Sequence, residues 1–305
     1  MRANPDVFTL PASAKVNLDL RILGVRPDGY HDLRTVFQTL ALADRLTFTR
    51  RPGPFTIECD APDVPLDRRN LVWRAASLLW RLAKRGPGAT PQDVGIRLEK
   101  RIPAQAGLGG GSADAAVTLV GLTALWALDL DTATLARLAG RLGADVPFFL
   151  VGGTALGLGR GDDIYPLVDL PRSHVVIVRP RFGVSTIEAY GWYDEDVRPR
   201  REPPARPVPD HWPAWARGLR NDLEPPVARR HPTISRIKSV LVDQGAVVAA
   251  MSGSGSAVFG VFPDESAAGR AALEASSRGW TTHVTRTLTR ADYARQMRPR
   301  LARSR

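Results

Sequence analysis

The chain has 305 residues, and 42 lysines and arginines against 31 aspartates and glutamates give it a formal net charge of +11. Its length suffices for two domains, and 44% hydrophobic residues is ordinary for a globular protein. A single cysteine, Cys59, excludes an internal disulfide and a cysteine-cluster metal site, and the five scattered histidines suggest no metal ligands. No apolar run could cross a bilayer and the N-terminus has no apolar signal core, so we expect a cytoplasmic protein with no membrane partner.

The positive charge is spread along the chain and is densest in Arg295–Arg305. A basic protein can bind nucleic acid or small polyanions, but an even spread favours a generally arginine-rich composition, so we expect no nucleic-acid partner. The lysines stand out because they are few: Lys15, Lys84, Lys100 and Lys238. Lysine is a compact point charge that arginine does not replace, and Lys15 and Lys100 both lie in motif-bearing stretches.

Hydrophobic periodicity divides the N-terminal half into strands and helices. The predicted strands are Val7–Leu10, Ser13–Leu23, Leu33–Leu42, Leu46–Arg50, Phe55–Cys59, Val94–Ile102, Thr154–Gly159 and Ile164–Leu167, and the predicted helices are Leu71–Lys84, Ser112–Trp126 and Thr132–Leu142. Alternation in the second strand places Lys15 and Asn17 on the face opposite its apolar residues. A solvated face is the simpler interpretation of that pattern. The turn before Leu33 carries Tyr30 and His31, which could stack on a base or pack against the protein.

We expect a boundary near residue 168, which separates domains at 1–167 and 168–305. Beyond it, strands are predicted at His174–Arg179, Ala246–Ala250, Ala257–Phe262 and Thr282–Leu288, and helical segments at Val184–Tyr193, Glu224–Arg230, Ile234–Gln244 and Glu265–Ser277. The proline- and arginine-rich stretch Arg198–Pro213 predicts an irregular excursion. This order of elements indicates an α+β fold with an antiparallel sheet.

A glycine-rich turn joins a strand to a helix in Lys100–Ala116. Glycines permit close approach of a bulky ligand, and the helix that follows offers free N–H groups, a combination that favours a polyphosphate. No lysine follows Gly111, which excludes a Walker-type loop, and the preceding segments are not the repeated strand–helix units of a dinucleotide fold. On the motif alone, a flexible loop before an ordinary capped helix remains the alternative.

Three polar residues have a structural interpretation beside a chemical one. Asn70 is suited to cap the helix that begins at Leu71, and Asp114 is expected in the first turn of its helix, where a carboxylate favours the dipole. Asp145 is the lone carboxylate of the apolar stretch GADVPFF. It could cap a short helix or serve as a catalytic carboxylate in a poorly hydrated pocket.

Three ordered motifs together resemble a known enzyme group: AKVNLDL with PDGYH, PAQAGLGGGSADAA with GADVPFF, and MSGSGSAVF. They are similar to those of the galactokinase–homoserine kinase–mevalonate kinase–phosphomevalonate kinase superfamily, and within it to the kinases of 4-diphosphocytidyl-2-C-methyl-D-erythritol in the non-mevalonate isoprenoid pathway. The resemblance implies an N-terminal domain like domain 2 of ribosomal protein S5 and a ferredoxin-like C-terminal domain. ATP with Mg²⁺ would meet a small cytidyl-diphospho sugar-alcohol substrate in the cleft between them.

The same resemblance implies a role for each motif residue. Asp145 would be the catalytic base that accepts the proton of the substrate's 2-hydroxyl, with Lys15 beside it to keep the carboxylate ionised. Tyr30 and Tyr190 would sandwich the cytosine, and His31 would bond its edge. The ATP-binding residues would be Pro103, Gly107, Leu108, Gly109, Gly110, Gly111, Ser112 and Ala113 around the triphosphate, with Asn70 and Lys100 on the adenosine side. The substrate-binding residues would be Asn17, Tyr30, His31, Thr186, Tyr190, Ser252, Gly253, Ser254 and Gly255.

Two alternatives to this function remain open at the level of sequence. The first is a kinase of the same superfamily that acts on another small alcohol, such as homoserine or a mevalonate derivative. The second is a non-enzymatic RNA-binding module, suggested by the net charge and the ribosomal-protein-like domain.

Overall fold

The computed structural model describes residues 7–83, 90–196, 208, 210–216 and 218–299, which form two β-sheets with helices packed on them. The strands are β1 Val7–Val25, β2 His31–Pro54, β3 Thr56–Cys59, β4 Gln92–Glu99, β5 Thr154–Gly159, β6 Asp163–Pro166, β7 His174–Arg179, β8 Val248–Met251, β9 Val258–Phe262 and β10 Thr281–Arg286. The helices are α1 Leu71–Leu82, α2 Gly110–Leu125, α3 Thr132–Leu142, α4 Phe148–Val151, α5 Thr186–Asp194, α6 Glu224–Arg230, α7 Thr233–Asp243, α8 Glu265–Ser277 and α9 Arg290–Gln296. The α+β class is confirmed.

The two sheets differ in topology. The first has the order β3–β4–β2–β5–β6, with β1 also paired to β2, and all its pairs are antiparallel except β3 with β4. The second has the order β10–β7–β9–β8 and is antiparallel throughout, as the order of predicted elements indicated. No helix in the described part of the chain is both long and apolar enough to cross a membrane.

The two longest strands are continuous where the sequence predicted breaks. β1 pairs with β2 from Val7 opposite Thr49 to Val25 opposite His31, with register shifts on the way. The predicted break at Pro11 is wrong because β1 is paired in its sheet only to β2, and a proline is tolerated on the unpaired side of an edge strand.

The polar face of β1 is buried rather than solvated, so the simpler interpretation of that face is wrong. Lys15 and Asn17 are each only 3% exposed. Their face is covered by the glycine-rich loop, since Lys15 N donates to Leu108 O at 3.0 Å, and by the glycine–serine turn, since Asn17 N donates to Ser252 Oγ at 3.3 Å. Burial of an ammonium group requires partners, and these lie in the site described below.

Some boundaries also differ from the predictions. α2 begins at Gly110 instead of Ser112, so Asp114 lies beyond the first turn and the predicted dipole role is wrong. β4 ends before the predicted Ile102, because Asp44 Oδ1 accepts the backbone N–H groups of Arg101 and Ile102 and draws the chain out of the sheet. The predicted excursion Arg198–Pro213 and basic tail Arg295–Arg305 lie largely outside the described residues, as does Lys84.

The sequence anticipated a short helix after Asp145 but not the short helix α9, and both support the segment that carries Asp145. α4 follows that residue directly, and α9 occupies part of what the sequence indicated as a basic tail. Leu288, Tyr293 and Met297 pack into the core of the first sheet. The Tyr293 hydroxyl donates to Phe149 O at 2.6 Å, so the C-terminal helix is attached to α4.

Candidate active site

The three motif stretches, far apart in sequence, meet between the two sheets. The glycine-rich loop contacts β1 through the bond from Lys15 N to Leu108 O. It contacts the glycine–serine turn through Ser252 Oγ, which donates to Gly107 O at 2.9 Å, and through Ala257 N, which lies 3.3 Å from Ala106 O. A ligand held by the loop therefore also faces residues of the second sheet.

Two loop glycines are required by the packing at this junction. Gly107 has φ +72°, and a Cβ there would lie 2.1 Å from Ser252 O. Gly109 has φ +73°, and a Cβ there would lie 2.8 Å from Phe149 Cζ. Because any side chain would be strained and would also collide, the loop can pass between the turn and α4 only as glycine.

Lys15 and Asp145 form an ion pair at the junction. Lys15 Nζ lies 3.2 Å from Asp145 Oδ2 and donates to Asn17 Oδ1 at 2.5 Å. The lysine side chain is 4% exposed, whereas that of Asp145 is 35% exposed. The predicted cap at Asp145 is wrong, because α4 is capped by Pro147 without a side-chain bond. The carboxylate is therefore held on one side by an ammonium group and open to a ligand on the other.

The start of α2 is suited to an anion. Its N-cap is Gly109, which has no side chain to accept a hydrogen bond from the first turn. Gly111 is exposed and Ser112 is partly exposed there. Free N–H groups and the positive end of the helix dipole favour phosphate oxygens. These residues therefore fit a nucleoside triphosphate laid along the glycine-rich loop.

Asn70 does cap α1. Its Oδ1 accepts the Val72 N–H at 2.9 Å, and its Nδ2 donates to Pro65 O at 2.8 Å. The capping role predicted from its position is confirmed. Its predicted contact with adenosine stays a prediction.

Lys100 belongs to a buried cluster beneath the start of α2. Its Nζ lies 2.8 Å from Asp114 Oδ2 and also bonds Asp44 Oδ2. Burial raises the pKa of Asp114 to about 7. Burial lowers the pKa of Lys100, but the two neighbouring carboxylates outweigh burial and raise that pKa above its usual value. Since Gly110 packs on Ile102, beside Asp44, this cluster supports the end of the glycine-rich loop.

The opposite side of the site carries aromatic rings. The His31 ring stacks on Tyr190, with centroids 4.7 Å apart, and His31 Nε2 lies 2.9 Å from Asp194 Oδ1. Burial and the nearby charge of Asp145 raise the pKa of Tyr190. Tyr30 is 59% exposed, with the Arg160 guanidinium 5.6 Å from its ring centroid. His31 and Tyr190 therefore lie together near Asp145, while Tyr30 is an exposed ring at the tip of its loop.

The glycine–serine turn is joined to α5 and to β1. Thr186 Oγ1 lies 3.3 Å from Ser254 Oγ. A Cβ on Gly253 would lie 3.1 Å from Asn17 Oδ1, and one on Gly255 would lie 2.8 Å from Met251 Sδ. The turn is thus closely packed between the predicted substrate-binding residues of the two sheets.

Sequence reasoning missed the buried polar residues that hold these loops. Asn17 Nδ2 donates to Thr35 Oγ1 at 2.7 Å, and Asn221 Nδ2 donates to two carbonyls of the segment at Met251–Gly253. Neither Thr35 nor Asn221 belongs to a motif, and only the fold gives them these partners.

Across the described ranges, no group of three or more histidines, cysteines or acidic residues could hold a metal ion.

Comparisons with known proteins agree with this geometry. The GHMP kinases N terminal domain family matches residues 70–153, and the GHMP kinases C terminal family matches residues 210–279. The 4-diphosphocytidyl-2-C-methyl-D-erythritol kinase of Moorella thermoacetica is 46% identical, over 93% of this chain and 100% of its own.

Solved structures show the same relationship. A crystal structure of 4-(cytidine 5'-diphospho)-2C-methyl-D-erythritol kinase aligns with TM-score 0.75 and 38% identity, over 92% of this chain and 99% of its own. Homoserine kinase from Cytophaga hutchinsonii aligns with TM-score 0.66 at 18% identity, over 95% of this chain and 96% of its own. This likeness shows a shared fold. The two-domain kinase architecture implied by the motifs is confirmed, and the chain belongs to the 4-diphosphocytidyl-2-C-methyl-D-erythritol kinase family of the GHMP kinases.

Proposed function

We propose that this kinase transfers the γ-phosphoryl group of ATP to the 2-hydroxyl of 4-diphosphocytidyl-2-C-methyl-D-erythritol, with ADP and the 2-phosphate as products. The observation that carries the proposal is the ion pair of Lys15 and Asp145, 3.2 Å apart, beside a glycine-rich loop suited to phosphates. The family relationship supports the choice of substrate.

Asp145 is the base of the proposed reaction. As the substrate oxygen bonds to the γ-phosphorus, its proton passes to the open Asp145 oxygen, and the bond from that phosphorus to the bridging oxygen breaks with its electron pair leaving on ADP. Lys15 and Asn17 fix the direction of the carboxylate through the bonds described above. Phosphoryl transfer depends mainly on positioning and charge stabilisation, and these residues supply both.

The remaining site residues divide between the two substrates. The glycine-rich loop from Gly107 and the start of α2 would cradle the triphosphate, and Mg²⁺ brought in with ATP would be held largely by phosphate oxygens and water. Tyr30, His31 and Tyr190 take the cytosine by stacking and edge bonding. Thr186 and the turn at 252–255 contact the diphosphate and sugar-alcohol part.

The first test is ADP release with Mg-ATP and one acceptor at a time: the cytidyl compound, homoserine, mevalonate, galactose or none. We expect turnover on the cytidyl compound alone. Turnover on another acceptor alone would still indicate a kinase of the same superfamily, but it would contradict the roles proposed for the cytosine-binding residues. No ADP release with any acceptor would contradict a kinase of this class.

The second test removes the base. Asp145→Asn keeps size and polarity but cannot take the proton, so kcat is expected to fall about 10²–10⁴-fold while the dissociation constant of an ATP analogue is retained. Asp243→Asn, an exposed change on α7, is the matched control and should leave kcat unchanged. Retained turnover in Asp145→Asn would remove Asp145 as the base.

A further inference from the structure

We propose that Asn221 is a positioning residue that fixes the glycine–serine turn against Lys15 and Asn17. The inference rests on the proposed function for its kinetic consequences. It does not assign Asn221 a contact with either substrate.

The amide of Asn221 is fully used and 2% exposed. Its Nδ2 donates to Met251 O at 3.0 Å and to Gly253 O at 2.8 Å, and its Oδ1 accepts the Leu223 N–H at 3.0 Å. No other residue type of this size both donates twice and accepts once in this geometry. The side chain therefore holds both ends of a three-residue stretch of the turn.

The backbone that carries Asn221 is itself bound to β1. Leu20 N donates to Arg220 O at 2.7 Å, and Asp222 N donates to Leu20 O at 2.9 Å. Arg220 N also donates to the buried carboxylate of Asp19 at 2.8 Å. Because β1 is the strand that carries Lys15 and Asn17, Asn221 connects the turn of the second sheet to the strand of the first that presents the ion pair.

The bonds of Asn221 fix the positions of Gly253 and Ser252, which contact the ion-pair region and the glycine-rich loop. A Cβ built on Gly253 would lie 3.4 Å from Lys15 Nζ, so the turn backbone already lies against the ammonium group. Ser252 Oγ lies 3.3 Å from Asn17 N and donates to Gly107 O at 2.9 Å. A shift of the turn would therefore move the groups around Lys15 and the loop together, and a misplacement of about 1 Å can cost about 100-fold in rate.

The test variant is Asn221→Asp. It keeps the shape and the acceptor for Leu223 N–H but loses both donors and sets a carboxylate oxygen against the carbonyls of Met251 and Gly253. The matched control is Gln38→Glu. Gln38 is equally buried, donates to the carbonyls of Thr39 and Leu288 at 2.8 and 2.9 Å, and accepts from Thr154 Oγ1, and none of these partners belongs to the glycine-rich loop or the glycine–serine turn.

Both variants should lose stability, since each buries a carboxylate against carbonyls. With both substrates saturating and the temperature well below each Tm, kcat should fall about 100-fold in Asn221→Asp and remain near wild type in Gln38→Glu. Equal kcat losses in the two variants, or a wild-type kcat in Asn221→Asp, would overturn the inference. Asn221→Ser, which introduces no charge, should reproduce the loss. If neither Asn221 variant folds, Asn221 is a folding residue and the inference is wrong.

Hydrogen exchange gives a readout that does not depend on activity. The amides of Ser252 and Gly255 are bonded within the turn, to Ala257 O and Ser252 O. Peptides covering 251–257 should exchange faster in Asn221→Asp than in the wild type, and at the wild-type rate in Gln38→Glu. If the wild-type protein turns over no acceptor, the proposed function fails, and this measurement still decides whether Asn221 holds the turn.

Discussion

Gly107→Ala is the sharpest test of the contact between the glycine-rich loop and the glycine–serine turn. A Cβ at this position would lie 2.1 Å from Ser252 O and 3.2 Å from Gly255 O, both of them backbone atoms that no side-chain rotation can move. The backbone there has φ +72°, a region that alanine rarely adopts. The substitution therefore combines backbone strain with a collision.

The cost of this change can be worked from its parts. A left-handed conformation costs an alanine about 1–2 kcal/mol. Separating loop and turn also breaks the bond from Ser252 Oγ to Gly107 O, for a net loss of about 0.5–1.5 kcal/mol. The free energy of unfolding should thus fall by about 1.5–3.5 kcal/mol. At about 2–4 °C for each kcal/mol, Tm should fall by at least about 3 °C.

Calorimetry on the purified variant measures this directly, and the same loop offers the control. Gly111 is exposed and helical, and a Cβ there would meet only Leu71 Cδ1, at an ordinary 3.7 Å. Gly111→Ala should keep or raise Tm, because alanine is favoured over glycine in a helix by up to about 1 kcal/mol. A Gly107→Ala protein with the same Tm as the wild type would refute the close contact of the two motifs.

Three further predictions concern other parts of the site. The pKa of Asp114 is about 7 in the folded protein and 3.8 in the unfolded chain, so between pH 3.8 and 7 the folded state binds a proton that the unfolded state has lost. The free energy of unfolding should therefore fall as the pH rises from 5 to 7, by up to about 1.4 kcal/mol per pH unit. Asp114→Asn should remove that slope in urea unfolding at pH 5, 6 and 7, and an identical slope would contradict the shift. Tyr293→Phe should cost about 1–3 kcal/mol in the same assay by leaving Phe149 O unpaired. Tyr30→Ala should raise KM for the cytidyl compound about 5- to 150-fold and leave KM for ATP unchanged, and an unchanged cytidyl KM would count against stacking.

Elements with local signals were predictable from sequence. The helices α3 and α8 have the predicted bounds, and both begin after an aspartate whose side chain caps the first turn. α1 begins as predicted after Asn70 and ends slightly earlier. The continuity of β1 and β2 was not predictable, because a proline within a strand is excluded or tolerated according to which neighbours the strand has.

The site divides in the same way. Its loops were found because glycine-rich motifs are local, and the pairing of Lys15 with Asp145, residues far apart in the sequence, followed from a resemblance that the structure supports. Asp44 and Asn221 were missed because their bonds reach backbone groups about 57 and 30 residues away. No periodicity marks such residues, and only the folded arrangement shows that each holds a loop in place.

The same packing explains why this arginine-rich chain keeps its few lysines. Each lysine in the described part of the chain contacts a carboxylate: Lys15 binds Asp145, Lys100 binds the pair beneath α2, and Lys238 binds Glu224, whose other oxygen accepts the Met251 N–H. All three thus support a loop of the site. The Lys15 side chain is only 4% exposed, and its Nζ contacts both Asp145 Oδ2 and Asn17 Oδ1. A planar guanidinium does not replace a compact ammonium group in such a buried position, so in a chain that otherwise uses arginine, the site retains lysine.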